Sequence, residues 1–386
     1  MIPDKVARHA DELTAIRHDL HMNPELLFEE VRTGAIVVRE LARLGFKVTT
    51  GLAGTGVIGT LTSGTSRRSV GLRADMDALP ITETTGLPYA SSVPGKMHAC
   101  GHDGHTTTLL GGARYLAETR NFDGTVHLIF QPAEEDVSGA KRMIAEGLFR
   151  RFPCDGVFAF HNWPGAPVGQ VQIKPGTMMA AVDMAKVTVK GVGGHGAVPH
   201  RAIDPVVAAS AVVIALQTVV SRNVDPGEAA VVTVGAFNAG NFCTIIPDKA
   251  ILDIGIRSCS PQVREQLARR LPELIRAQAA SFGCTADVEY ELSYPATVNS
   301  PAETALAREV AAEMEAGVVD LDRPFMVSED FAYMLEEVPG CYFMMGNGDE
   351  PQRPMLHDPG YDFNDELLVK GAALWGRLVE RFLPKS

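Results

Sequence analysis

The segment Met97-His98-Ala99-Cys100-Gly101-His102-Asp103-Gly104-His105 brings three histidines, a cysteine and an aspartate together within nine residues. So dense a set of metal-ligating side chains reads as half of a site whose other half lies elsewhere in the chain. Three apolar segments supply candidates for that other half. SVGLRADMDALP carries Asp75 and Asp77 at its end, TVHLIFQPAEED ends in Pro132 and the pair Glu134-Glu135, and GVFAFH ends in His161. His357 follows much later, in the aperiodic stretch His357-Asp358-Pro359. Polar groups repeated at strand ends are where open α/β sheets carry function.

Hydrolysis at a metal needs anionic or neutral nitrogen ligands, an open position for water, and a carboxylate able to take the water's proton. Cys100, His102, Glu135, His161 and His357 offer five ligands of mixed softness, and Glu134 beside Glu135 can serve as general base. Five ligands exceed what one tetrahedral catalytic ion uses, so a pair of divalent ions about 3.5–4 Å apart fits better. A thiolate disfavours magnesium or calcium, whereas zinc, manganese, cobalt and nickel suit the set. A structural zinc module would want a second Cys or Cys-His pair, which the chain lacks. A Cys100 nucleophile with His102 as its base leaves Glu134, Glu135 and His161 without a task. Asp75 or Asp103 is the expected carboxylate behind a ligating imidazole. Asp77 reads equally well as a turn aspartate. His98, His105 and His200 read as supporting or structural residues, and His9, His18 and His21 as packed or solvated helix positions.

These residues need elements to hold them. Periodicity predicts amphipathic helices over 4–20 and 29–44, the second stopped by Gly45. FKVTT, GVIGTLTS and RSVGLRADMD read as strands, and a helix over 106–119 follows the Cys-His cluster, placing Cys100 to Asp103 at or before its N-terminus. Gly54-Thr55-Gly56-Val57-Ile58-Gly59 matches GxGxxG literally, but a strand-like run follows it where a dinucleotide site needs a helix. From Asp183 to Leu292 the order is strand, helix, strand, strand, helix, strand, with Asp204-Pro205 and Ser260-Pro261 opening the helices, which is the ferredoxin-like arrangement. Candidate ligands lie on both sides of it. It is therefore expected as an insertion at 183–294 in a catalytic domain made of 1–182 and 295–386. Helices over 301–315, 328–338 and 366–382 and a strand CYFMMGNG complete the reading.

A chain of 386 residues, 46% hydrophobic, can support two cores. The net charge of -12 argues against a nucleic-acid partner. Six cysteines without a CxxC pair suit reduced thiols in a cytoplasmic enzyme. The charged N-terminus has no apolar signal region, and the run from 206 to 220, broken by polar residues, falls short of a membrane span.

RADMDALP, MHACGHDGH, FQPAEE, GGHGAVPH, SEDF and HDPGYDFND together resemble the M20 metallopeptidase family in its aminoacylase/hippurate hydrolase branch, nearly end to end. The resemblance implies a zinc-peptidase-like α/β catalytic domain interrupted by a ferredoxin-like dimerisation domain, and a homodimer or dimer-based oligomer. It implies that Cys100, His102, Glu135, His161 and His357 bind two divalent metals, with Cys100 bridging them and Glu134 as base. Asp75 would keep an orienting role. His195, in a glycine-rich loop that permits close approach, would polarise the substrate carbonyl. Arg257 would bind the substrate carboxylate, joined by the backbone N–H of Gly346. Thr244 stands where the family usually has asparagine, which bears on specificity. The implied substrates are N-acyl amino acids. A dipeptidase or aminopeptidase of the same fold, or a non-catalytic metal- or ligand-binding protein, are the alternatives.

Overall fold

A computed structural model describes residues 4–135 and 138–385. It divides into two compact units, one of residues 1–178, 298–323 and 330–386, the other of residues 179–297 and 324–329.

The first unit is built on an eight-stranded mixed sheet in the order Lys47–Leu52, Gly56–Ser63, Gly124–Gln131, Ser69–Asp75, Gly156–Trp163, Gly340–Gly346, Val171–Ile173, Val318–Asp320. The four strands from Gly124–Gln131 to Gly340–Gly346 run parallel. Every residue of Ser69–Asp75 and Gly340–Gly346 is buried, which explains why these segments read as near-continuous apolar runs: parallel strands are covered on both faces. Helices His102–Thr119 and Glu366–Phe382 pack closely against each other. A Cβ on Gly111 would lie 2.8 Å from that of Ala372, and one on Gly376 would lie 2.4 Å from the Tyr115 ring. Glycines on both partners thus bring the helices together and seat the N-terminus of His102–Thr119 against the strand ends. The first predicted helix is two pieces, Asp4–Ala7 and Ala10–Met22. The GxGxxG segment runs directly into the strand Gly56–Ser63, and no helix follows it.

The second unit is an antiparallel four-stranded sheet in the order Ala230–Ala239, Lys249–Ser258, Ala181–Lys190, Thr285–Leu292. Its helices, Pro205–Asn223 and Pro261–Ala280, begin with proline, and the Asp204 and Ser260 side chains accept from the Val206 and Val263 amides. In Ala181–Lys190 buried and more exposed residues alternate, as a sheet with one covered face requires. Helix Pro205–Asn223 spans 19 residues and is apolar enough by length and composition to cross a membrane, which the shorter run read from sequence was not. Here Ala208, Ala209, Val212, Leu216 and Val219 bury one of its faces in the unit's own core.

Candidate metal centre

The candidate ligands of the first unit converge where the parallel strands end. Cys100 and His102 flank Gly101, whose φ of 89° and crowded surroundings require glycine: a Cβ would lie 2.4 Å from Asn162 Nδ2 and 2.6 Å from the Tyr361 hydroxyl. Cys100 Sγ lies 3.2 Å from His161 Nε2. His357, with φ 66°, is brought beside the cluster by its own N–H, which donates to the Ala99 carbonyl at 2.8 Å. Its Nε2 stands 3.2 Å from Glu135 Oε1. Ligand atoms of Cys100, His102 and His161 lie within 4.8 Å of one another, as do those of Cys100, Glu135 and His357, and those of His102, Glu134 and Glu135. Cys100 is common to the first two sets.

The hydrogen bonds define which nitrogens remain available. His161 Nδ1–H donates to the Asn162 carbonyl at 2.7 Å, leaving the Nε2 lone pair toward Cys100. His102 Nδ1–H donates to the Asp77 carbonyl at 2.9 Å, with Asp77 Oδ1 at 3.2 Å. Asp77 Oδ2 also accepts the Glu135 backbone N–H at 3.0 Å. His102 Nε2 is buried and has no hydrogen-bond partner among the described residues, and the buried Glu135 Oε1 faces only the imidazoles of His357 at 3.2 Å and His102 at 3.9 Å. An orphaned buried polar atom costs about 1–3 kcal/mol. One such nitrogen beside a carboxylate oxygen, a thiol and a lone-pair nitrogen makes a donor set that fits divalent cations.

Charge supports the same reading. Burial opposes a charged His102, but Asp75, Asp77 and Glu135 outweigh it and raise its pKa to about 10. Burial, and then Glu135, Glu134 and Asp75, push the Cys100 thiol well above its ordinary value. Burial and His105 hold His161 well below the usual imidazole range, so it is neutral. A cation would reverse the first two effects, displacing both protons.

Glu134 is 6% exposed, and its Oε1 lies 3.4 Å from the Asp330 N–H. The chain enters it through Ala133, a residue with φ 52°.

Three expectations are corrected. Asp103 does not support a ligand: it turns away and holds His21 Nδ1 at 2.8 Å, with Arg17 at 3.7 Å. Burial opposes a charged His21, but Asp103 prevails and raises its pKa to about 9. Asp75 grips His105 Nδ1 at 2.6 Å and Arg73 at 2.7 Å, so the carboxylate that meets the His102 ring at Nδ1 is Asp77. His105 also accepts at Nε2 from the Asn162 N–H at 3.1 Å, so both its nitrogens are engaged in support. The Gly346 N–H donates to the Gln170 carbonyl at 2.8 Å and is not available to a substrate.

In the second unit, Gly194–His195 pairs antiparallel with Ile245–Ile246, and the Gly196 N–H donates to the Thr244 carbonyl at 2.8 Å. The Ala197 N–H donates to His195 Nδ1 at 3.1 Å. Neutral His195 therefore carries its proton on Nε2, the tautomer that can donate outward. Arg257 is half-buried and bonds Ser328 Oγ at 3.2 Å.

The family model described as Peptidase family M20/M25/M40 matches residues 71–381. The chain is 42% identical over 374 residues to a hippurate hydrolase of Campylobacter jejuni, covering 96% of this chain and 97% of that one. It is 38% identical to an N-acetyl-L-cysteine deacetylase of Bacillus subtilis, covering 97% of this chain and 89% of that one. A solved structure of a dinuclear metal-binding M20 peptidase from Bacillus subtilis superposes with a TM-score of 0.85 at 31% identity, over 98% of this chain and 99% of that one.

Proposed function

The chain belongs to peptidase family M20/M25/M40, and from that premise we propose that it hydrolyses the amide bond of N-acyl-L-amino acids, hippurate-like or N-acetylated, to a carboxylic acid and a free amino acid. The observation that carries the reading is the orphaned buried His102 Nε2, set against Cys100 and Glu135 with the carboxylate of Glu134 alongside.

Cys100, His102, Glu135, His161 and His357 would hold two divalent ions, Cys100 contributing to both. Bound there, the ions would supply Lewis acidity, making water a nucleophile at neutral pH and polarising the amide carbonyl. Glu134 takes the proton of the attacking water and returns it to the leaving amine. Asp77 fixes the His102 ring and the Glu135 backbone together. His195 donates Nε2–H to the carbonyl oxygen as it gains charge. Arg257 pairs with the substrate carboxylate, a task for which a guanidinium is suited. Thr244, exposed beside His195, contributes a shorter polar arm to specificity.

The second unit carries exposed Ile214 at 72% and Phe242 at 70%, apolar surface suited to pairing two copies. Cys100, Cys154, Cys243, Cys284 and Cys341 are thiols outside any disulfide, which suits the cytoplasm.

The test is release of free amine from N-acetyl, N-benzoyl and longer-acyl amino acids after reconstitution with zinc, manganese, cobalt or nickel. Turnover of the acyl amino acids is expected. Hydrolysis of dipeptides alone would replace the reading with a dipeptidase, and no turnover with any metal would leave a binding protein.

A further inference from the structure

Glu30 is fully buried, lies outside the ligand set, and has no part in the mechanism above. It sits at the N-terminus of helix Val31–Arg43. Its Oε1 accepts the Ala133 N–H at 2.9 Å and its Oε2 accepts the Thr55 hydroxyl at 2.6 Å. Thr55 belongs to the Gly54-Thr55-Gly56 turn that imitates a dinucleotide fingerprint, so the turn's polar side chain serves this carboxyl instead. Burial raises the Glu30 pKa to about 7, so the fold maintains an acid here against its solvation preference.

Ala133 is the residue that aims Glu134. Its φ of 52° costs a non-glycine residue energy and persists only where neighbours impose it. Its carbonyl accepts the Gly139 N–H at 2.9 Å. Gly139 is confined in turn, because a Cβ there would lie 1.7 Å from the Pro132 carbonyl. Glu30 thus holds the Pro132–Ala133 peptide through its N–H, and Gly139 holds the Ala133–Glu134 peptide through its carbonyl, so the planes on both sides of Ala133 are fixed. The same N-terminal segment braces the neighbouring strand end, since the Glu25 carbonyl accepts the Ala78 N–H at 2.8 Å.

We propose that Glu30 is a positioning residue for the general base: it clamps the Ala133 amide and thereby sets the direction of the Glu134 carboxylate. The proposal rests on Glu134 being the base. Two readouts keep the two ideas apart, namely steady-state kinetics with an N-acyl amino acid, and hydrogen–deuterium exchange of the segment containing the Ala133 amide in the metal-free protein.

Glu30→Ala should lower kcat by about 10- to 100-fold while KM and metal content change by less than about threefold. The Ala133 amide should exchange faster. Glu30→Gln keeps an oxygen for Ala133 and offers an NH2 to the Thr55 oxygen, so it should restore protection and bring kcat to within about threefold of the parent. If Glu30→Ala fails to fold, Glu30→Asp, one methylene shorter, replaces it with the same expectations. A folded Glu30→Ala with unchanged kcat and unchanged exchange overturns the proposal, as does a Glu30→Gln as impaired as the alanine variant. If no N-acyl amino acid is turned over by the parent, the activity reading fails, and unchanged exchange in Glu30→Ala would still refute the clamp.

Discussion

Replacing Asp77 with asparagine should weaken metal binding without unfolding the protein. Asp77 is 1% exposed and uses both carboxylate oxygens: Oδ1 lies 3.2 Å from His102 Nδ1 and Oδ2 lies 3.0 Å from the Glu135 amide nitrogen. Both of those partners are N–H donors. Asparagine has one oxygen and one NH2, so one donor must face another donor. The oxygen belongs with the Glu135 N–H, because His102 retains the Asp77 backbone carbonyl at 2.9 Å. The NH2 then opposes His102 Nδ1–H and pushes the ring away from its ligating orientation. Outer partners of this kind are worth about 10- to 100-fold in metal affinity, or about 1.4–2.7 kcal/mol. The surviving carbonyl bond places Asp77→Asn toward the lower end, and Asp77→Ala, which frees the Glu135 amide as well, toward the upper. Competition against a chelating dye measures the dissociation constant, and circular dichroism reports the fold. An Asp77→Asn protein that binds within about twofold of the parent would refute Asp77 as the group that orients His102.

Glu134→Gln should lower turnover by about 10²- to 10⁴-fold while metal content stays that of the parent, checked by kinetics beside elemental analysis. In the metal-free protein near neutral pH, the Cys100 thiol and His102 both hold protons, by direction of their shifts. Metal loading should therefore release about two protons per chain, with affinity rising as pH rises; calorimetry in two buffers of different ionisation enthalpy counts them. Glu30, raised from 4.5 to about 7, favours folding fully below pH 4.5 and loses that contribution as pH climbs through 7. Glu30→Gln should then be more stable than the parent at alkaline pH, by up to about 3 kcal/mol, with the gap closing toward acid, as urea melts across pH would reveal.

The strand ends carrying Asp75, Asp77, Glu134, Glu135 and His161 are legible because buried parallel strands are apolar until they reach the site, and a polar residue there is conspicuous. The helix caps Asp204 and Ser260 are legible for the same local reason. Three details are not local. His102 and Asp103 are neighbours in sequence, but successive helix residues point about 100° apart, so one faces the cluster and the other faces Arg17 and His21. Asp75 and Asp77 share a strand-end periodicity, and only the approach of helix His102–Thr119 decides which carboxylate meets which imidazole. The Gly346 amide looks available until Gln170, on a loop far away in sequence, takes it. Glu30 gives no pattern signal, since its partners Thr55 and Ala133 are distant and one of them is backbone. Asn162, which donates to the Cys100 carbonyl at 2.7 Å and engages His105, is equally silent beside the conspicuous His161.

The single N–H of His357 on the Ala99 carbonyl has a bearing on how the protein is made. Cys100, His102, Glu135 and His161 emerge early in synthesis, and the whole of the second unit follows before His357 leaves the ribosome. On the proposed ligand set, four of the five donors would therefore be present before the last one is made. Completion must wait until a loop of roughly 250 residues has folded and closed on itself. On that ligand set, a chain cut short before that loop would lack the last donor.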